Sequence, residues 1–429
     1  MSENKNYIFE NDILRYESYM HRFTDSLFNE LDSKSKEINL TSTIADLING
    51  EKVNYSEDQA AWHPKYRKRD SYVNSFKFPE LGITSIVVLG IGGSFEGPKL
   101  LIESLSQPTD NPINHIFITG SDPYEFKEKM HNLNPEETFF IVSSKSFTTD
   151  ETVESLRDAI EWSDDMERFI AITANKVEAS KYNFKHIIEF DQEIGGRYSI
   201  WSDIFIPALH GSNSLFNPSN FLKGGHQADL DLQHNNDYLK FVKHLSFSDI
   251  WLNNSEGKNS RAVLSYSWKL RSFANYVQQL EMESLGKQPS KDSEYQNTGQ
   301  IIFGGYGPTA QHSYFQLLHQ GTQNICADII ASTEDAQSLS YAQAITQTKL
   351  LSSGEDELLS DKEKINGNVP VKLFLLNKID SFSMGYLIAT WEHRTFITAA
   401  MLKINPFDQF GVRAGKIYTN KYLHGHQED

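Results

Sequence analysis

Residues 138–160 read TFFIVSSKSFTTDETVESLRDAI, and the chain is organised around this stretch. Thr138–Val142 is a short apolar run of β character, and residues 152–160 carry apolar side chains at helical spacing. Between them Ser143, Ser144, Ser146, Thr148 and Thr149 supply hydroxyls and Lys145 supplies one cation. Thr148 followed by Glu151 predicts a capping box, with the helix starting there. A strand entering a hydroxyl-rich loop and then a helix gathers backbone N–H groups, the positive end of the helix dipole and side-chain donors in one place. A phosphate monoester suits that arrangement. An ordinary polar loop has the same composition, so this stretch alone leaves both readings open.

Outward from it, β runs are expected at 84–89, 115–119, 138–142, 169–173 and 186–190, with helices at about 96–105, 123–131, 149–162 and 176–181. That alternation predicts a doubly wound α/β unit with a mainly parallel sheet and ligands beyond the carboxyl ends of its strands. Residues 216–225, rich in Asn, Pro, Ser and Gly, read as a boundary. A second, more helical alternation follows, with β runs at 262–266, 300–303, 325–330 and 371–376. A helix over 383–402 is apolar enough all round to be buried, and a last helix carries Lys416. Residues 1–78 read as a helical layer, with Ile13, Tyr16, Met20, Phe23 and Leu27 at spacings of three and four, and Lys65–Asp70 as a solvated face. The division expected is 1–78, a helical segment packing with the second domain, then domains at 79–215 and 216–429.

Forty Lys and Arg against 57 Asp and Glu give a net charge of −17, which argues against nucleic acid or an anionic membrane as a partner. Cys326 is the one cysteine, so no internal disulfide forms. The N-terminus lacks a signal pattern and no apolar run is long enough to span a bilayer, so a soluble, cytoplasmic protein is expected.

Gly90-Ile91-Gly92-Gly93-Ser94 follows the first of these β runs. Phe95 breaks a dinucleotide fingerprint, Pro98 after Gly97 breaks a P-loop, and Glu96 breaks a nucleophile elbow. What remains is a loop of amides with the Ser94 hydroxyl, suited to one sugar phosphate. Gly195-Gly196-Arg197 places a fixed positive charge where a developing oxyanion could be stabilised, or else forms a turn with a surface Arg. Glu281 and Glu283 fall at the end of a helix stopped by Gly286, where carboxylates are disfavoured; either both are simply exposed, which the sequence alone favours, or one is held in a site. Gln311-His312 opens a helix that places His319 on the same face, at no recognised metal-ligand spacing.

Taken in order, LGIGGSFEGP at 89–98, SSKSFTTDET at 143–152, GGRYSIWSDIFIPAL at 195–209, MESLGK at 282–287, QHSYFQLLHQGT at 311–322, NGNVP at 366–370, WEH at 391–393 and NPFDQFGVRAGK at 405–416 resemble the glucose-6-phosphate isomerase (phosphoglucose isomerase) family. The resemblance implies two sugar-isomerase-type (SIS) α/β domains and a homodimer whose active sites are shared. It also implies no metal and no organic cofactor. The reaction implied is interconversion of D-glucose 6-phosphate and D-fructose 6-phosphate through a cis-enediolate, in glycolysis and gluconeogenesis. By the same resemblance Glu283 is the base, His312 opens the ring with Lys416 opposite, and Arg197 stabilises the enediolate. Gln409, Gln311, Gly93 and Ser94 line the site, and Ser144, Lys145, Ser146, Thr148 and Thr149 hold the phosphate. The rivals are a phosphosugar-binding regulator without catalysis and an isomerase acting on mannose 6-phosphate as well. Departures from the family pattern are Ser146 for Thr, Leu285 for Asn, Glu96 for Asp, Gln59 for Arg, Arg413-Ala414 before Lys416, and an altered loop at 304–310.

Overall fold

The computed structural model describes residues 6–68, 76–79, 82–110, 112–211, 213–355, 357 and 360–425. Its N-terminus departs from the helical expectation. Tyr7–Glu10 (β1) and Leu14–Tyr19 (β2) form an antiparallel hairpin. Asn11 makes the turn, its side-chain oxygen accepting from the N–H groups of Ile13 and Leu14. Tyr16 and Met20 are buried as expected, but a spacing of four fits a two-residue period as well as a helical one. Helix begins only at Asp25–Glu37, where the Thr24 side chain caps the Leu27 N–H, and continues with Leu40–Asn49.

Ser85–Leu89 (β3), Asn114–Ile118 (β4), Thr138–Ser143 (β5), Phe169–Thr173 (β6) and His186–Glu189 (β7) form a parallel sheet of order β4-β3-β5-β6-β7. Val87 and Leu89 belong to one apolar cluster and Ile86 and Val88 to another, so both faces of the sheet are covered, as its unbroken apolar runs require. From β3 the chain goes to β4 on one side and then returns to β5 on the other. The topological switch therefore lies at the carboxyl ends of β3 and β5, where such sheets leave a crevice.

Ser260–Ser265 (β8), Ile301–Tyr306 (β9), Ile325–Ser332 (β10) and Val371–Leu376 (β11) join the hairpin in a second sheet of order β1-β2-β11-β10-β8-β9. It is parallel from β11 to β9 and antiparallel where β2 meets β11. The helix Ser381–Leu402 is buried along almost its whole length. It packs on the helix Pro218–His234, which begins within the Asn-, Pro-, Ser- and Gly-rich stretch 216–225. Asn217 caps that helix, and its glycines serve a close crossing: a Cβ on Gly224 would lie 1.9 Å from the Phe382 carbonyl oxygen. The solvated face expected at 65–70 also fails at Arg67. This side chain is buried, stacked 4.2 Å from the Trp201 ring, and ion-paired to Asp229 at 2.6 Å and to Glu392.

Candidate active site

A cleft of about 570 Å³ opens at the switch point, lined by the loops after β3 and β5, by Gly195 and Gly196, by Gln279 and Glu283, and by residues 407–416. The helix Gly93–Ser104 starts three residues earlier than expected. Only glycine fits at Gly93, because a Cβ there would lie 1.8 Å from the Gly196 carbonyl oxygen. That contact joins the Gly-rich loop to the loop carrying Arg197.

In the loop after β5 no capping box forms. The helix runs Asp150–Ser163 with Thr149 at its N-cap, and the Thr148 hydroxyl donates to Ser146 Oγ at 2.9 Å. Ser144 Oγ accepts the Phe147 N–H at 3.1 Å and lies 3.3 Å from Thr149 Oγ1. Phe147 takes a left-handed backbone (φ 55), uncommon for a bulky side chain. Its ring is buried beside Tyr182 and Phe184, which offsets that cost. Burial pushes the Lys145 ammonium below its usual range; nearby Glu57 opposes this and Arg197 reinforces it.

Arg197 is buried in the short helix Gly196–Trp201. Its Nε donates to Ser284 Oγ at 2.7 Å, Nη1 to Gln409 Oε1 at 2.8 Å, and Nη2 to the carbonyls of Pro406 and Asp408. Nη1 also stands 3.1 Å from Glu283 Oε1, while Gln279 Nε2 donates to Glu283 Oε2 at 3.2 Å. The exposure that the helix end alone favoured holds for neither carboxylate, and the other reading, one of them held in a site, fits Glu283. Glu281 is buried against Arg261, and the Glu283 side chain, about a quarter exposed (27%), is held in the cleft. Leu285, the departure beside Glu283, points into the apolar core. Lys416 reaches the cleft from the helix Arg413–Gly425.

Of the residues expected in the site, Gly93, Ser94, Ser144, Lys145, Ser146, Thr149, Glu283, Gln409 and Lys416 line the cleft, with Arg197 directly behind Glu283. Thr148, Gln311 and His312 do not line it. The single helix expected from 311 is broken: Gly307–Gln311 and Phe315–Gln320 are separate, and His312 sits exposed in the break. His319 bonds to Gln347 at 2.9 Å. Gln279, Ser284, Asn54, Glu57 and Gln192 are additional groups in or against the cleft. Gln279 stands four residues before Glu283 on one helix and Ser284 directly after it, placements that could have been read; Asn54, Glu57 and Gln192 come from segments remote in sequence. Among the described residues no group of three or more His, Cys, Asp or Glu is placed to hold a metal ion, and no helix is long and apolar enough to cross a membrane.

Two mainly parallel α/β sheets, with a charged cleft at the switch point of the first, set the class of fold. The model of one family, phosphoglucose isomerase, matches residues 78–429. Glucose-6-phosphate isomerase of Acinetobacter baumannii (strain SDF) is 31% identical over 98% of this chain and 87% of its own length. That of Legionella pneumophila (strain Lens) is 32% identical over 94% and 87%. The crystal structure of a glucose-6-phosphate isomerase from Chlamydia trachomatis superimposes with a TM-score of 0.85 over 99% of this chain and 90% of that one, at 24% identity. The chain belongs to the phosphoglucose isomerase family.

Proposed function

We propose that the chain interconverts D-glucose 6-phosphate and D-fructose 6-phosphate in the cytoplasm, as an enzyme of glycolysis and gluconeogenesis, with the cleft as its active site. The observation that carries this reading is the pairing of Glu283 with Arg197 at the cleft wall, in one pocket with the hydroxyl loop 144–149. Glu283 takes the proton from C2 of the open-chain aldose and returns it to C1, while the hydroxyl proton passes from O2 to O1. In between, the electron pair of the C–H bond resides in a cis-enediolate, whose negative charge faces Arg197 Nη1. Ser144, Lys145, Ser146 and Thr149 hold the phosphate, and that remote binding orients the reacting carbons. Gln409 and Lys416 flank the sugar. A binding protein without catalysis would use the hydroxyl loop but has no need of a carboxylate poised on a buried guanidinium.

His312 belongs to the neighbouring subunit's site in this reading, with Gln311 beside it. Two features support a second copy docking here. His312 is exposed outside its own cleft, and Leu317, five residues on, is an exposed large apolar side chain.

Fructose 6-phosphate turnover coupled to glucose-6-phosphate dehydrogenase tests the assignment. The unmodified protein is expected to turn over. Glu283→Gln is expected to lose at least about 10²-fold in kcat with KM within about twofold, the signature of a lost general base. A Glu283→Gln enzyme as fast as the parent would remove Glu283 from the mechanism.

A further inference from the structure

Ser284 follows Glu283 in the last turn of the helix Phe273–Leu285 and is completely buried. It has no place in the chemistry derived so far. The helix end does not depend on it, because Glu281 is pinned to Arg261 and Leu285 lies in the core. What the Ser284 hydroxyl does touch is the Nε of Arg197, at 2.7 Å, and the Tyr198 hydroxyl, at 3.1 Å. Tyr198 is itself fixed from behind by stacking on His63, with ring centroids 4.6 Å apart.

A guanidinium is a planar fork of five N–H groups, so holding one edge sets the direction of the rest. In Arg197 the Nη2 edge is held by the Pro406 and Asp408 carbonyls and the Nε edge by Ser284. Nη1 is the edge that meets residues of the cleft wall, Gln409 and Glu283. We infer that Ser284 is a positioning residue for proton transfer: by accepting from Arg197 Nε it keeps the guanidinium from closing on Glu283 as a two-point ion pair, so that the single Nη1 contact with Glu283 is the one the enediolate oxygens can take over. Without that hydroxyl the arginine keeps its charge but loses its direction. A carboxylate gripped by two donors is a poorer base, and an arginine turned towards it no longer faces the reacting oxygens. Phosphate binding, by contrast, involves none of these atoms.

The inference rests on the isomerase reading, and the same assay separates the two: an unmodified protein without turnover defeats the reading, whereas the variants below test the inference in an active enzyme. Ser284→Ala is expected to lower kcat about 10- to 100-fold with KM within about twofold, the scale of a small misplacement of reacting groups. Inhibition by a hydroxamate that mimics the enediolate is expected to weaken by a similar factor, and competitive inhibition by a sugar-alcohol 6-phosphate to stay unchanged. In an Arg197→Lys background, where no Nε–H remains for Ser284 to accept, Ser284→Ala is expected to add less than about a twofold loss. Unchanged kcat in Ser284→Ala would overturn the inference. So would an equal loss in both backgrounds, or equal weakening of both inhibitors, since either marks a merely structural role. If Ser284→Ala fails to fold, Ser284→Cys, which keeps the volume but accepts poorly, takes its place with the same outcomes.

Discussion

Ser144 and Thr149 hold their hydroxyls 3.3 Å apart, with Ser144 also accepting the Phe147 N–H. A loop preorganised in this way pays little entropy when an anion arrives. Ser144→Ala combined with Thr149→Ala is therefore expected to weaken a competitive phosphosugar inhibitor by about 1–3 kcal/mol for each charged hydrogen bond lost. Some kcat is expected to fall too, because that binding orients the reacting carbons. Titration calorimetry with the inhibitor reads this directly, and unchanged affinity would move the anion site elsewhere. These hydroxyls were legible as letters, since a run of Ser and Thr between a strand and a helix is a local signal. Arg67 was not, because nothing in Lys65–Asp70 says which of its cations meets Asp229 and Glu392. Neither was the left-handed Phe147, whose conformation depends on Tyr182 and Phe184.

The helices Pro218–His234 and Ser381–Leu402 cross where each offers bare backbone to the other. A Cβ on Gly385 would lie 2.0 Å from the Phe221 carbonyl oxygen, and backbone cannot swing aside as a flexible side chain can. Gly385→Ala is expected to force the helices apart and to cost about 1–3 kcal/mol or more, as overpacking does. A lowered urea midpoint measures it, and an unchanged midpoint would show that the crossing yields without cost. The consequence extends beyond these two helices, because Asp229 on one and Glu392 on the other share Arg67 between them. The strands of the first sheet agree with the sequence to within about a residue at each end, because apolar runs bounded by polar loops are a local pattern. The hairpin β1–β2 was misread because the spacing of four from Tyr16 to Met20 is compatible with both periods. Its partner β11 lies more than 350 residues away, and that pairing selects strand.

At the scale of the whole molecule the cleft carries Glu283 and Lys416, while His312 stands exposed outside it. If the neighbouring subunit supplies His312, inactive Glu283→Ala and His312→Ala chains must complement each other. Co-refolded at equal ratio, about half of the dimers are mixed. Each mixed dimer has one site with both lesions and one with neither, so roughly a quarter of the parent activity is expected to return. A mixture proven to contain mixed dimers yet still inactive would show that each site is built from one chain.

The sequence by itself determined the two α/β alternations, the loops after β3 and β5, the family and nine of the residues that line the cleft, because periodicity, turn chemistry and motif order are all local in the chain. Only the tertiary structure decided the rest. It made 218–225 the start of a buried helix, and it drew Glu281, Glu283 and Arg67 in from the exposure their local sequence favoured. It also surrounded Arg197 with partners 87 and 212 positions away in the sequence. The reason is physical. A charged side chain enters the interior only when a counter-charge and hydrogen-bond acceptors meet it there, and those partners are set by how distant segments pack.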